Sequence, residues 1–272
     1  LVYDKPVIYT DTEFDTAPYD AWWLDGELWT IGALRRIGME LTVDFSGRKL
    51  HVVALGFDRH HPAFQDFYRA VRESKEAGMA ELIAGIREKG VDITAEKVQA
   101  MTAGKLDRYA VMRYLVSLHI SEWVQPLWDE YLDPVLVKIG GCENVPAAEA
   151  FAAIHAAGGV TSLAHFHKKI GLLGMRREQQ AEVIAALHQA GLDGMEGWYP
   201  SYTAEDSAFV EAMTTRLGLI RTGGTDFHGA NRPGVELGTG RDNNIAVPEE
   251  ALARLRAAIA EAHRRAGIFE NG

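Results

Sequence analysis

Near its C-terminus the chain reads Ile220-Arg221-Thr222-Gly223-Gly224-Thr225-Asp226-Phe227-His228-Gly229, a short apolar approach that ends in Asp-x-His. Side chains two residues apart on a strand point to the same face. Asp226 and His228 are therefore placed to hold one metal ion, or two neighbouring ions, at a strand end. The glycines around them let a ligand or a backbone come close. The segment Gly158-Gly159-Val160-Thr161-Ser162-Leu163-Ala164-His165 has the same character, an apolar strand that delivers one imidazole at its end. Upstream, Gly38-Met39-Glu40-Leu41-Thr42-Val43 and Lys49-Leu50-His51-Val52-Val53-Ala54-Leu55 read as the two arms of a hairpin turned at Ser46-Gly47. One arm carries a carboxylate and the other an imidazole.

The elements that must position these groups follow from periodicity. Residues 7–10 are a short strand candidate. Residues 20–36 are amphipathic and read as partly helical, with Trp22, Trp23 and Trp29 in the core or over a site mouth. From Pro62 to Lys89, apolar residues at Phe64, Phe67, Val71, Met79, Leu82, Ile83 and Ile86 follow a helical period, and Pro62 suits a first helical turn. Further helices are expected from Thr94, over 106–118 and over 121–131, the last ended by Asp133-Pro134. The block 62–145 is thus helical and looks inserted between strands. Beyond Pro146 helices (147–157, 178–190, 204–217, 249–266) alternate with strands (160–164, 194–198, 219–222). That alternation argues for a parallel sheet or barrel, whose site lies at the C-terminal strand ends. His165, Asp226 and His228 all fall there.

The bulk composition narrows the partners. With 28 basic against 38 acidic residues and a net charge of −10, general duplex binding, which depends on neutralising many phosphates, is not expected. A small phosphorylated ligand held by a few local cations remains open. The single cysteine, Cys142, allows neither an internal disulfide nor a cysteine zinc cluster. Leu1-Val2-Tyr3-Asp4-Lys5-Pro6 does not read as a signal peptide and no apolar run has membrane-span length, so a cytoplasmic protein without membrane partners is expected.

The segments "GMELTV", "HVVALGFD", "GGVTSLAH" and "GGTDFHG", in this order, resemble the PHP (polymerase and histidinol phosphatase) family of metal-dependent phosphoesterases, over about residues 9–240. The likeness is greatest to the branch that cleaves nucleotides and short 5'-phosphorylated oligonucleotides, which carries a helical insertion after the "HVVALGFD" strand. The chain also departs from the family. The family opens with His-x-His, whereas the first histidine here is His51. The family's "TDHDT" turn is Thr10-Asp11-Thr12-Glu13-Phe14-Asp15-Thr16, with no histidine. "RxH" in the insertion is Arg108-Tyr109-Ala110, "SH" is Ser201-Tyr202, and "AHPGR" is His165-Phe166-His167-Lys168.

The resemblance implies an α/β fold, a distorted TIM-like β/α barrel formed by 1–61 and 146–272, with 62–145 as a helical insertion subdomain over the active face. It implies metal ligation by Glu40, His51, His165, Asp226 and His228. Three imidazoles and two carboxylates suit Zn, Mn or Fe, one or two ions, rather than an all-oxygen Ca or Mg site. Glu40 is the natural bridge, and Asp226 and His228 are the expected catalytic groups, His228 as a general acid. Arg108 and Lys168, with Lys169, are the candidate cations for phosphate oxygens; Lys168 gives a point charge where the family has an arginine fork. The implied activity is hydrolysis of phosphomonoesters, and the rival is a degenerate PHP-like domain that binds a phosphorylated ligand or metal without turnover. Plainer roles compete at several positions. His51 fits a satisfied edge histidine, His167 a surface residue or a substitute ligand, Arg108 an ion-pair partner on the helices, and Asp11, Glu13 and Asp15 a solvated turn. His60-His61 fits a helix cap.

Overall fold

The structure, a computed structural model, describes residues 8–10, 21–24, 27–30, 36–102, 106–121, 123–141, 145–227 and 234–268, with side chains from Gly38 onward. The chain divides into two compact units: Leu1–Phe67 together with Val145–Gly272, and Tyr68–Asn144.

The first unit is mixed α/β. Its main sheet contains β1 (Ile8–Thr10), β4 (Arg36–Phe45), β5 (Arg48–Asp58), β6 (Val160–Leu163), β7 (Gly194–Trp198) and β8 (Ile220–Gly223), hydrogen-bonded in that order. A separate antiparallel pair is formed by β2 (Ala21–Leu24) and β3 (Glu27–Thr30). This pair corrects the partly helical reading of residues 20–36. The overlooked signal is Asp25-Gly26, a strong hairpin dipeptide, which stands between Leu24 and its partner Glu27. β5 runs antiparallel to both neighbours, while β1 pairs in parallel with β4, and β6, β7 and β8 pair in parallel. The β4–β5 hairpin turns where expected, with Ser46 and Gly47 both at positive φ and the Gly47 N–H donating to Asp44 Oδ1 at 3.0 Å.

The register decides which side chains share a face, because residues directly opposite in a ladder point the same way and the period is two. Glu40 lies opposite Val53, Thr42 opposite His51, Val53 opposite Ser162, Ser162 opposite Gly194, and Glu196 opposite Thr222. Glu40, His51, Ser162, Glu196 and Thr222 therefore lie on one face. The Ser162 and Thr222 hydroxyls confirm it by hydrogen-bonding at 2.8 Å. Along the same face Val53 and Ala164, and farther toward the other end of the strands Leu55 and Val160, are buried with Leu255 of α9 (Glu249–Ala266), and Ile220, Ala258, Ile259 and Ala262 pack against them. One end of the face is thus sealed by apolar burial and the polar groups gather at the other.

α9 sits close because glycine permits it. Gly56 has φ +71°, and a Cβ there would come within 2.6 Å of the Ile259 side chain. His263 Nε2 lies 2.8 Å from the Gly56 carbonyl oxygen, so this buried imidazole donates a hydrogen bond within the packing. α7 (Arg177–Gln189) and α8 (Ala204–Leu217) connect the parallel strands β6, β7 and β8, and α6 (Ala147–Ala156) leads into β6. α8 opens with a reciprocal cap in which the Thr203 hydroxyl accepts from the Asp206 N–H and the Asp206 carboxylate accepts from the Thr203 N–H. Asp206 also receives Arg177 of α7 at 2.6 Å.

The second unit is helical. α1 (Pro62–Glu88) enters it, and α2 (Ala95–Met101), α3 (Arg108–Ser117), α4 (Val124–Leu127) and α5 (Asp133–Ile139) follow. Met79, Leu82, Ile86, Ile93, Leu115, Leu127 and Leu132 form its core. Thr94 caps α2 and Asp107 caps α3. Asp133-Pro134 does not end the helix here, contrary to expectation. The chain widens into a π-helical segment at Trp128–Leu132 and continues to Ile139, with the Asp133 N–H reaching the Trp128 carbonyl. The wider turn is the physical answer to proline, whose ring clashes with the carbonyl four residues back and which cannot donate.

No helix among the described residues is long and apolar enough to cross a membrane. Burial works against the Asp206 charge, but Arg177 and the Thr203 hydrogen bonds hold its carboxyl below its ordinary value of 3.8. A carboxyl lowered in the folded state stabilises the fold above the ordinary carboxylate range, and that stability is lost as pH falls through the folded value. Asp206→Ala is expected to cost about 2 kcal/mol at neutral pH, measured by urea unfolding. The deficit should shrink below about pH 4, where the wild-type carboxyl also takes up its proton.

Candidate metal centre

Three of the sequence-predicted residues converge on one point. Glu40 lies within β4, His51 within β5, and His165 two residues past the end of β6. Glu40 and His51 are diagonal neighbours across the β4–β5 ladder, because Thr42 is the partner of His51. His165 is brought alongside by the β5–β6 ladder, continued by the Ala164 N–H donating to the His51 carbonyl at 2.9 Å. Glu40 Oε1 lies 2.9 Å from His51 Nδ1 and 3.1 Å from His165 Nε2, and the two ring nitrogens are 3.1 Å apart.

Protons alone cannot satisfy this triangle. If both imidazoles donate to Glu40, two N–H groups face each other at 3.1 Å. If one imidazole donates to the other, the acceptor nitrogen presents its lone pair or nothing better to the carboxylate. A single cation inside the triangle satisfies all three atoms at once. The three donor atoms, 2.9 to 3.1 Å from one another, are close enough that Glu40, His51 and His165 would hold one ion together. Among the described residues, Glu40, His51 and His165 are the group able to hold a metal ion. Burial opposes ionisation of Glu40, but hydrogen bonds and charge from His165 and His51 outweigh it and hold the carboxyl well below the usual range. The carboxylate is therefore available as a ligand at neutral pH. His165 is almost wholly buried, and its Nδ1 has no hydrogen-bond partner among the described residues.

Asp226 does not stand on a strand, as the Asp-x-His spacing suggested. β8 ends at Gly223, and Asp226 follows in a loop with φ +53°. Strand alternation therefore does not set its direction. Its carboxylate accepts the Tyr199 hydroxyl at 2.5 Å, and the Tyr199 ring lies edge-on to His165 with centroids 5.7 Å apart. His228 lies outside the described residues, as do Asp11, Thr12, Glu13, Phe14, Asp15 and Cys142. The Lys168 ammonium stands 5.7 Å from the centre of the same Tyr199 ring, a cation–π approach. Arg108 is the first residue of α3, in the helical unit. His61 accepts the Ala63 N–H at the start of α1.

His167 packs against Tyr199 and Tyr202, with Nε2 2.9 Å from the Ser201 hydroxyl. Burial first, and then the charge of Lys168, pushes its imidazole down to about 4. It is a neutral, half-buried ring, not the surface residue the sequence suggested. Tyr202, at the family's histidine position, donates to the Glu196 carbonyl at 3.1 Å.

Glu196 was not singled out in the sequence. It is fully buried in β7, and its Oε2 accepts the backbone N–H of His165 at 2.6 Å. Burial pushes its carboxyl up to about 7, against the opposing pull of His165. The signal was a lone carboxylate in the short apolar strand Gly194-Met195-Glu196-Gly197-Trp198, where a parallel strand buried on both faces ordinarily has none.

No family model matches the chain. Among curated proteins it is 28% identical over 199 residues to a phosphoribosyl 1,2-cyclic phosphate 1,2-diphosphodiesterase of Eggerthella lenta, covering 71% of this chain and 72% of that protein. It is 24% identical over 191 residues to a 5'-3' exoribonuclease of Haemophilus influenzae, covering 70% and 68%. It is 23% identical over 207 residues to a 3',5'-nucleoside bisphosphate phosphatase of Chromobacterium violaceum, covering 75% and 71%. Among solved structures, a Bifidobacterium adolescentis protein described as a metal-dependent phosphoesterase superposes with a TM-score of 0.66 at 20% identity, covering 82% of this chain and 76% of that one. An amidohydrolase from Chromobacterium violaceum, with bound sulfate and no metal, gives 0.65 at 22% identity, covering 84% and 80%. The chain is thus a relative of phosphoesterases, and the resemblance to the PHP family read from its motifs stands.

Protein purified without chelator is expected to carry a divalent transition metal, detected by elemental analysis. Glu40→Gln should lower the affinity at least about tenfold, since the amide loses the charge that faces the ion.

Proposed function

We propose that this chain is a PHP-type phosphoesterase that hydrolyses phosphomonoesters with one or two ions of Zn, Mn or Fe. The carrying observation is the triangle of Glu40, His51 and His165, whose donor set and spacing suit such an ion. On this reading Asp226 and His228 complete the ligand set. A bound divalent ion would supply Lewis-acid polarisation of the phosphoryl group and a nucleophile at neutral pH. The protein's own contribution is to hold the ligands in place, to keep Glu40 ionised, and to set the Lys168 charge beside Tyr199 for a phosphate oxygen. His228, where it does not serve as a further, weak ligand, supplies the leaving-group proton.

The relatives' names place phosphate esters of nucleosides, ribose or RNA among their substrates. Nucleotides and short 5'-phosphorylated oligonucleotides are accordingly the substrate class proposed for this chain. The same reading takes the six-stranded sheet as a distorted, TIM-like PHP barrel, residues 62–145 as its helical insertion, with Arg108 as a phosphate ligand, and the protein as cytoplasmic.

A second reading has one observation in its favour. At the family's histidine position Tyr202 turns its hydroxyl to the backbone of Glu196, so that position offers no imidazole. A domain with a reduced site could bind a phosphorylated ligand or a metal without turnover.

The assay is phosphate release from nucleoside monophosphates and short 5'-phosphorylated oligonucleotides, with and without added Mn. Slow, metal-stimulated hydrolysis is expected, and Asp226→Asn should abolish it. Tight binding of a phosphorylated ligand with no turnover in any of the three metals would favour the second reading. Arg108→Ala should raise KM about tenfold with little change in kcat, as for a lost charge-assisted contact to phosphate; an unchanged KM would remove Arg108 from the site.

A further inference from the structure

His165 and Asp226, the two proposed ligands that follow parallel strands, share an unusual backbone. Both have positive φ, +20° for His165 and +53° for Asp226, although neither is glycine. A side chain in that region costs about 1 kcal/mol or more and persists only where the surroundings enforce it. The two residues belong to different loops, one after β6 and one after β8. The strand between them in the sheet order is β7.

β7 reaches both. Glu196 turns into the polar face and accepts the His165 backbone N–H at 2.6 Å. That bond fixes the peptide from which the His165 ring departs. Three residues on, just past the strand end, Tyr199 donates its hydroxyl to Asp226 Oδ2 at 2.5 Å. Tyr199 is itself buried, edge-on to His165 and His167 with centroids 5.7 and 5.4 Å apart and tilted against Tyr202 at 5.4 Å, so its ring is held firmly. The bond restrains the carboxylate rotation that a loop residue would otherwise have. β7 also runs close to β8, since a Cβ on Gly194 would meet the Ile220 carbonyl oxygen at 2.7 Å.

We propose that β7 is a brace for the metal centre, in which Glu196 and Tyr199 act as positioning residues that hold the flanking ligands His165 and Asp226 in their strained, ion-ready conformations. The inference rests on the assignment of those two residues as ligands. It adds a reason why a strand that contributes no ligand carries a buried carboxylate and a buried tyrosine at its C-terminal end. Hydrogen-bonded partners that orient a ligand typically change metal affinity about 10- to 100-fold when removed.

The test compares the full-length wild type with Tyr199→Phe, Glu196→Ala and Glu196→Gln after chelator removal. Mn(II) affinity is measured by calorimetry, and coordination by the visible absorption of the Co(II)-loaded proteins. Tyr199→Phe keeps the ring packing and loses only the hydroxyl. It should weaken Mn binding about 10- to 100-fold and alter the Co(II) bands at an unchanged melting temperature. Glu196→Ala should weaken binding similarly. Glu196→Gln keeps an acceptor oxygen for the His165 N–H and should recover most of the affinity. Wild-type affinity and an unaltered Co(II) spectrum in Tyr199→Phe would overturn the brace. Should Glu196→Ala prove unstable, Tyr199→Phe and the Glu196→Gln rescue decide the matter. A wild type that binds neither Mn(II) nor Co(II) would overturn the metal-centre reading itself, a result distinct from variants that bind as well as the wild type.

Discussion

The Glu40 carboxylate, held against two imidazoles in a mostly dehydrated recess, is the interaction around which the first unit is organised. Taking a charge out of water is costly unless it is paired. Glu40 has only 10% of its side chain exposed, and the compensation comes from His51 and His165 at about 3 Å. That arrangement needs three strands in one register. A slip of one residue between β4 and β5 would turn Glu40 and His51 to opposite faces. The apolar pairs Leu41 with Val52 and Val43 with Leu50 guard against such a slip, because all four side chains are buried on the face away from Glu40.

The sheet then divides its polar face by function. Toward one end, α9 closes the face with Leu255 and Ile259 against Val53, Leu55 and Val160. Toward the other, the loops after β6, β7 and β8 bring His165, Tyr199 and Asp226 together. Between these ends Ser162 and Thr222 satisfy each other, which leaves Glu196 to engage the His165 backbone. Each of these buried polar groups thus has a task in the packing. Among the described residues, His165 Nδ1 and His167 Nδ1, in the loop after β6, and Arg221 Nε, on β8, are buried side-chain atoms without a hydrogen-bond partner.

Non-glycine residues at positive φ occur at Ser46, His119, Asp242 and Asn243, and also at the site, at His165 and Asp226. A hairpin turn accommodates Ser46 at positive φ at little consequence, as turns commonly do. His165 and Asp226 differ, since each is both strained and held by a hydrogen bond from or to a neighbouring strand. Backbone strain that is over-determined by its surroundings is found where geometry matters for function. The hydrogen bonds from β7 make the strain at these two residues part of how the recess keeps its shape.

The sequence by itself determined the alternation of strands and helices after Pro146, the Ser46-Gly47 hairpin, the helical period after Pro62, and the placement of His165 at a strand end. All of these are local signals, carried by turn chemistry and by the periods of two and 3.6 residues. It also carried the hairpin signal Asp25-Gly26, which loses out if the amphipathic pattern around it is taken as helical. Three things needed the tertiary structure. The meeting of Glu40, His51 and His165 depends on ladder registers between segments more than a hundred residues apart. The direction of Asp226 depends on a left-handed loop residue, and strand spacing says nothing about it. The roles of Glu196 and Tyr199 depend on which loops flank β7 in the sheet. Local sequence sets which element forms and where it turns, but side-chain convergence is a property of pairing between distant segments, and burial in the assembled sheet alone turns a lone glutamate and a tyrosine into partners of the site.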